Sequence, residues 1–284
     1  MKTGYVLVLT LACGMTARAD FSYTQTRKSG QGMAAAVGDQ VTKHYLKGQK
    51  MKVDSGKTSS IFDFGAQTIT VLDNQAKTYT VTPFGEMGKA MQQSDMSAKI
   101  DVKETGQKKS INGFNASEVV MTIGMEGGPA AAQGMKMQME MDMWLSSDVP
   151  GAAELRAFFQ KNGERFPWAA LGGGGNPSMQ KAIADMQKKI ASIGGVPVLQ
   201  IVRMKSAGNP QMSAQMEQAR ARFEEMKKQG GQQAAMAEQM LARMGGGAGG
   251  GSLFEVTMES SGFSTSAIPD SVFAVPGDYK KVTK

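Results

Sequence analysis

The segment GMKMQMEMDMW, at positions 134–144, places a methionine at every second residue. Successive side chains of a β-strand point to opposite faces, so the methionines line one face and the polar residues the other. Such alternation is typical of a strand with one buried face. The chain is therefore expected to contain a sheet with a methionine-rich apolar surface, formed by Met135, Met137, Met139, Met141 and Met143.

Strand-like runs separated by turn residues occur along much of the remaining chain. In the first third, turns at Lys47-Gly48, Gly65-Ala66 and Asp73-Asn74 separate short alternating runs, which predicts an antiparallel meander. A further hairpin is predicted around Asn112-Gly113. The predicted strand segments are 21–29, 41–56, 59–84, 99–107, 116–125, 194–206 and the segment that begins at Leu253.

Other segments have the apolar spacing of helices. A short helix is predicted within 85–99, and a longer one over Val149–Phe166, with Phe158 and Phe159 on one side. Asn176-Pro177 and Asn209-Pro210 each combine a capping residue with a proline in the first turn, which is a helix-start signal. The last of these helices carries Met212, Met216 and Phe223 and is followed by the glycine-rich stretch 245–252. A helical, glycine-flanked insertion is thus predicted at about 206–252, between two strands of one sheet.

The N-terminus has the layout of a secretory signal peptide. Lys2 precedes an apolar run from Tyr5 to Leu11, and Ala17-Arg18-Ala19 forms a small-residue cleavage site, so residues 1–19 are predicted to be removed. The alternative, lipid attachment at Cys13, requires a different pattern at Thr10 and Leu11. Cleavage after Ala19 would remove the only cysteine. The mature chain, a single domain of residues 20–284, is expected in the periplasm or outside the cell.

Charge argues against nucleic acid as a partner. The 32 basic residues include Lys2 and Arg18, which leaves 30 against 25 acidic residues in the predicted mature chain. This small excess is spread along the chain, without a long basic run or interleaved aromatic residues. A solvated surface with a mild preference for anionic lipid is expected.

Patterns of catalytic residues are weak, so we predict a protein that is not an enzyme and needs no cofactor. The chain has one histidine, His44, which we interpret as a strand surface or edge residue, and it lacks a G-x-S-x-G serine motif. Ser178 and Lys181 match S-x-x-K, but the companion motifs of serine-lysine enzymes are missing. The stretch LGGGGNPS lacks the ending of a phosphate-binding loop, and the carboxylates show no paired spacing.

The unusual methionine content, 24 residues, leaves three hypotheses. Thioethers are flexible and polarizable, and they suit a surface that repacks around apolar guests. They are also ligands for Cu(I) and Ag(I), which a thiol-free exported protein would have to bind through methionine. The third hypothesis is a scaffold or partner-binding module whose sheet is filled by its own side chains.

Four segments carry a resemblance to a known family: YLKGQKMKVDSG, IFDFGAQTITVLDNQAKTYTV, INGFNASEVVMTI and IPDSVFAVPGDYKKV. They resemble an uncharacterised family of bacterial secreted proteins, a domain of unknown function grouped with the outer-membrane lipoprotein carriers. The resemblance implies an α+β fold in which a curved antiparallel sheet, a half-barrel, is covered by helices around an apolar cavity that receives acyl chains. It implies no catalytic residues.

The leading hypothesis is therefore an exported protein that binds a hydrophobic small molecule, a lipid or the acyl chains of a lipoprotein, with the membrane surface as a further partner. Soft-metal buffering is the first alternative, although no specific metal-ligand set is predicted. The predicted ligand-binding residues are the five methionines at 135–143 together with Phe158, Phe159, Met212, Met216 and Phe223.

Overall fold

The computed structural model describes residues 20–32, 38–87, 96–127, 136–163, 193–207 and 252–283, together with Gln218, Arg222 and Glu225. Twelve strands form one sheet in the order β12-β6-β5-β4-β3-β2-β1-β11-β10-β9-β8-β7. The strands are β1 (Phe21–Gly32), β2 (Gln40–Lys47), β3 (Lys50–Asp54), β4 (Thr58–Asp63), β5 (Thr68–Asp73), β6 (Thr78–Pro83), β7 (Met96–Ile111), β8 (Phe114–Gly127), β9 (Lys136–Ser146), β10 (Val196–Ala207), β11 (Ser252–Ser264) and β12 (Lys280–Lys281). Two α-helices have their bounds in the described part, α1 (Phe84–Met87) and α2 (Ala152–Asn162).

The predicted meander is present, and its turns follow from short polar side chains. Asp63 Oδ1 accepts hydrogen bonds from the backbone N–H groups of Gly65 and Ala66, at 3.0 and 2.8 Å. Asp73, at the end of the next strand, makes the same arrangement with Gln75 and Ala76. Each aspartate accepts hydrogen bonds from backbone N–H groups that have no backbone partner in the turn. These bonds stabilise the tight connections from β4 to β6.

The prediction of a half-barrel covered by helices is wrong. The sheet is open, since its order ends at β7 on one side and at the short β12 on the other. It is also mixed, because β12 pairs with β6 in parallel while the other pairs are antiparallel. Of the two helices with described bounds, α1 has 4 residues and α2 has 11, too few to cover twelve strands. Alternation determines which side chains share a face, but not whether the two edges of a sheet meet.

Helix α2 packs against one end of the sheet. Leu155 and Phe158 face inward and join a buried cluster with Leu46 on β2 and with Phe64, which has no exposed surface. The Phe64 ring lies 5.7 Å from the Phe158 ring and 5.9 Å from the Phe84 ring. This aromatic contact is the main link between the helix and the β2–β6 hairpins.

The C-terminal segment, residues 265–283, covers the opposite face of the β2–β6 hairpins. It contains a short 3₁₀ helix, Asp270–Phe273, and its apolar side chains pack with Ile61 and Leu72. The backbone N–H of Ile268 donates to the buried carboxylate of Asp20 at 2.6 Å. The C-terminal segment is therefore hydrogen-bonded to Asp20, the predicted first residue of the mature chain, and it ends in β12 at the edge of the sheet.

Candidate functional site

The methionine strand lies in the interior of the sheet, as β9 between β8 and β10. Residues that pair across neighbouring strands share a face. On β8, Val119, Met121 and Ile123 pair with Met143, Met141 and Met139. On β10, the corresponding partners are Gln200, Val202 and Met204. We call the surface that carries Met139, Met141 and Met143 the apolar face.

Burial on the apolar face changes along the strands. Met143, Met121 and Val119 are buried and form a cluster with Val102 and Leu145. Farther along, Met139, Met141 and Met204 are half-buried. The face is thus close-packed near the C-terminal end of β9, and its methionines are only half-buried toward the N-terminal end.

The reverse side of the same strands, the charged face, is closed by ion pairs. Arg203 donates to Glu255 at 2.8 Å and lies 3.5 Å from Glu140, which also accepts from Lys205 at 2.9 Å. Burial raises the pKa of Asp142, and the nearby carboxylate of Glu118 adds to this effect. This face is therefore a network of charged and ion-paired side chains and not a candidate for an apolar ligand.

The structure separates the predicted site residues into distinct places. Phe158 is buried against Phe64, in a different cluster from Met141 and Met143. Phe159 is 41% exposed. Met137 pairs with Met125 on β8 through its backbone. Met135, Met212, Met216 and Phe223 lie outside the described residues. Within the helix predicted to start at Asn209-Pro210, Gln218, Arg222 and Glu225 are helical and exposed.

His44 is not an edge residue, because β2 has β1 on one side and β3 on the other. Its ring stacks on Tyr23 at 4.4 Å between centroids, and its Nε2 is buried without a hydrogen-bond partner. Burial lowers the pKa of His44 from 6.5 to about 4, and burial also raises the pKa of Tyr23. The ring is therefore neutral at pH 7 and acts as a packing group.

This environment predicts a loss of stability in mild acid. Between pH 6.5 and about 4 the unfolded chain takes up a proton at His44 that the folded chain does not, so stability falls as pH falls through that window. The expected loss is about 1 to 3 kcal/mol. Urea unfolding of the wild type and of His44→Gln, at pH 7.5 and at pH 4.5, measures this loss of stability. All titrating groups other than His44 are the same in the two proteins, so the difference between their losses belongs to His44. An equal loss in both proteins would contradict the prediction.

A polar groove of about 460 Å³ lies where the β2–β3 hairpin meets the C-terminal segment. Lys47 is 2.9 Å from Asp270, and Lys50 is 3.5 Å from Asp63. Both lysines are thus already paired with carboxylates, and the groove offers no unneutralised charge to a ligand. Within the described residues there is no group of three or more histidine, cysteine, aspartate or glutamate side chains placed to hold a metal ion. In the same part of the chain, no helix has the length and apolar composition to cross a membrane.

Comparison with known proteins identifies a family. A family model described as "Domain of unknown function (DUF4412)" matches residues 28–186, more than half of the chain. The chain belongs to the DUF4412 family. The match includes β2 to β9 and α2, and therefore the methionine strand, whereas β10, β11 and the C-terminal segment lie beyond it. The predicted membership of a family of unknown function is confirmed, and its relation to the lipoprotein carriers stays a prediction.

The other comparisons add no functional information. No curated protein matches the chain. A solved structure, described as "Structure of PNGF-II in P21 space group", is similar over 94% of this chain at 8% identity. The chain spans 32% of that protein's length, and the TM-score of 0.33 does not indicate a shared fold.

Proposed function

We propose that this DUF4412 member is an exported, non-catalytic protein that binds the acyl chain of a lipid or lipoprotein on the apolar face. The observation that carries the proposal is the group of half-buried thioethers at Met139, Met141 and Met204. A permanently packed core is usually filled by leucine or valine, whose side chains have fewer rotatable bonds than methionine. Methionine at these adjoining positions provides an apolar surface that repacks around a flexible guest.

The choice of an acyl chain rests on two further points. Burying each methylene of a guest contributes about 0.8 kcal/mol, so partial burial of a long chain is enough for reversible capture after the costs of ordering. The four segments that resemble the lipoprotein carriers add a relation to proteins that handle acyl chains. Export through the predicted leader would place the protein where such guests occur.

A second candidate function is binding of Cu(I) or Ag(I), and cross-strand pairing favours it. Met121 pairs with Met141 and Met139 pairs with Met204, so two pairs of thioethers lie on adjacent strands of one face. Direct cross-strand partners have Cβ atoms about 5 Å apart, within reach of two flexible side chains that share one ion. Substitution by leucine distinguishes the functions, because leucine keeps an apolar surface and removes the sulfur ligand.

The double variant Met139→Asp/Met141→Asp is expected to lose acyl-chain binding by about tenfold or more, since each carboxylate would have to be desolvated beneath the guest. Binding of radiolabelled palmitate to the mature protein, and extraction of lipid that co-purifies with the exported protein, measure the loss. Gln138→Asp is the matched control, because it adds the same side chain directly before Met139 but on the charged face, opposite Lys205 in the register.

The leucine variant Met139→Leu/Met141→Leu completes the design. Retained palmitate binding with little Cu(I) uptake by any of the proteins supports the acyl-chain function. The metal function would be supported instead if the wild type takes up Cu(I) stoichiometrically, the leucine variant does not, and neither protein binds palmitate. A folded Met139→Asp/Met141→Asp variant that takes up palmitate as the wild type does would refute the assignment to this face.

A further inference from the structure

The apolar face continues across the sheet beyond the methionine strand. Met143 pairs with Gln200, Gln200 with Met258, and Met258 with Arg27 on β1. The pairing continues from Arg27 to Gln40 on β2. Arg27 thus belongs to the same row of side chains as Met143, three strands away, which is about 14 Å at the usual strand spacing.

Arg27 is the exceptional residue of this face. Its same-face neighbours on β1, β2 and β11 are uncharged: Tyr23, Gln25, Thr42, His44, Met258 and Ser260. Among the described positions that the register assigns to the face, the other charged residues are Glu104 and Lys108 on the edge strand β7, Asp73 on β5 and Lys280 on β12, and all four are exposed. Arg27 is therefore the one charged residue of the described face that is half-buried instead of exposed.

Arg27 is half-buried, and its guanidinium has no carboxylate partner among the described residues. Arg27 forms no ion pair within the described part of the chain, and its Nε is buried without a hydrogen-bond acceptor. The next residue, Lys28, points to the opposite face, where it lies 3.2 Å from Glu259. The only histidine on the apolar face is uncharged at neutral pH, since burial lowers the pKa of His44 to about 4.

A partly buried cation without a counter-ion is destabilising, because it loses hydration and gains no charge partner in return. An anion that arrives with a ligand would remove this penalty. A carboxylate or a phosphate accepts two parallel hydrogen bonds from a guanidinium, which gives the contact both energy and direction. Gln25 and Ser260, on the same face next to Arg27, offer uncharged polar groups for the same head group.

We propose that Arg27 is the anchor for the anionic head of an acyl ligand whose chain extends over Met258 toward Met141 and Met139 on the methionine strand. This inference rests on the proposed function and narrows it to amphiphiles with a negatively charged head group. A neutral apolar molecule would occupy the same face with lower affinity.

The test compares palmitate with hexadecanol, which has the same chain length and no charge, on the mature protein at pH 7.5. Wild-type protein is expected to bind palmitate more tightly, a result that needs no variant. Arg27→Gln is expected to weaken palmitate binding by about tenfold or more and to leave hexadecanol binding unchanged. Arg27→Lys keeps the charge and should retain part of the preference. Lys28→Gln, the adjacent substitution on the charged face, should behave as the wild type.

The outcomes separate this inference from the proposed function. Binding of both ligands with equal affinity, unaffected by Arg27→Gln, would reject the anchor and keep the acyl-chain function. Failure of the wild type to bind either ligand would reject the acyl-chain function and the anchor with it. Palmitoyl lysophosphatidate distinguishes the source of the anion: loss of its binding in Arg27→Gln indicates recognition of phosphate as well, and loss of palmitate binding alone indicates a carboxylate site.

Discussion

Replacing Phe64 by alanine is expected to lower the free energy of unfolding by about 3 to 5 kcal/mol. The side chain is completely buried and contacts the rings of Phe62, Phe84 and Phe158. Truncation would leave a cavity between α2 and the hairpins that three aromatic rings cannot close without leaving their rotamers. Chemical unfolding followed by tryptophan fluorescence, to which the buried Trp144 contributes, measures the change.

Phe159→Ala provides the matched control for that experiment. Phe159 lies next to Phe158 on α2 and contacts its ring at 5.6 Å, but the side chain is 41% exposed. A loss of about 1 kcal/mol or less is expected, because removing an exposed ring creates no closed cavity. Equal losses in the two variants would contradict the assignment of Phe64 as the centre of this core.

Replacing Gly151 by alanine is expected to destabilise the protein by about 2 to 5 kcal/mol. Gly151 has φ 85° at the start of α2, a conformation that L-residues rarely adopt. A Cβ atom at this position would also overlap the Phe21 ring, with Cε2 at 2.6 Å, and the Thr265 methyl group at 2.8 Å. The Phe21 ring is buried and has no free space to move into, so the backbone itself must move.

Gly113→Ala separates the two contributions. Gly113 has the same φ of 85° in the turn between β7 and β8, and a Cβ atom there would meet nothing within 4 Å. We expect only the conformational cost, about 1 to 2 kcal/mol, measured by the same unfolding experiment. A Gly151→Ala variant no less stable than Gly113→Ala would show that the end of the sheet yields easily to the added atom.

Local patterns were enough to predict most strands. Asp63 and Asp73 introduce turns whose hydrogen bonds are made within a few residues, so the β4–β6 hairpins are encoded locally. The helix predicted over Val149–Phe166 is present as α2, with Leu155 and Phe158 on its buried side. The half-barrel was inferred from a resemblance, and edge closure depends on the twist and length of all twelve strands together.

The candidate site was predictable only in part, for the same reason. Alternation in 134–144 indicated one methionine face from the sequence, and its half-buried part is the basis of the proposed function. Arg27 was not predicted, because in FSYTQTRKS it resembles any solvated strand residue. Its place in the row of Met143 depends on three successive pairings, each between residues more than 50 positions apart.

The sequence by itself determined the strand segments, the turns, the face on which each strand is apolar and the leader-like pattern at 1–19. These properties depend on side-chain chemistry within a few residues, which the chain carries wherever it folds. Only the tertiary structure decided that the sheet stays open, that Phe158 packs with Phe64 apart from the methionines, and that Arg27 shares their face. Those properties follow from strand register and strand order, which bring together distant residues that no local pattern relates.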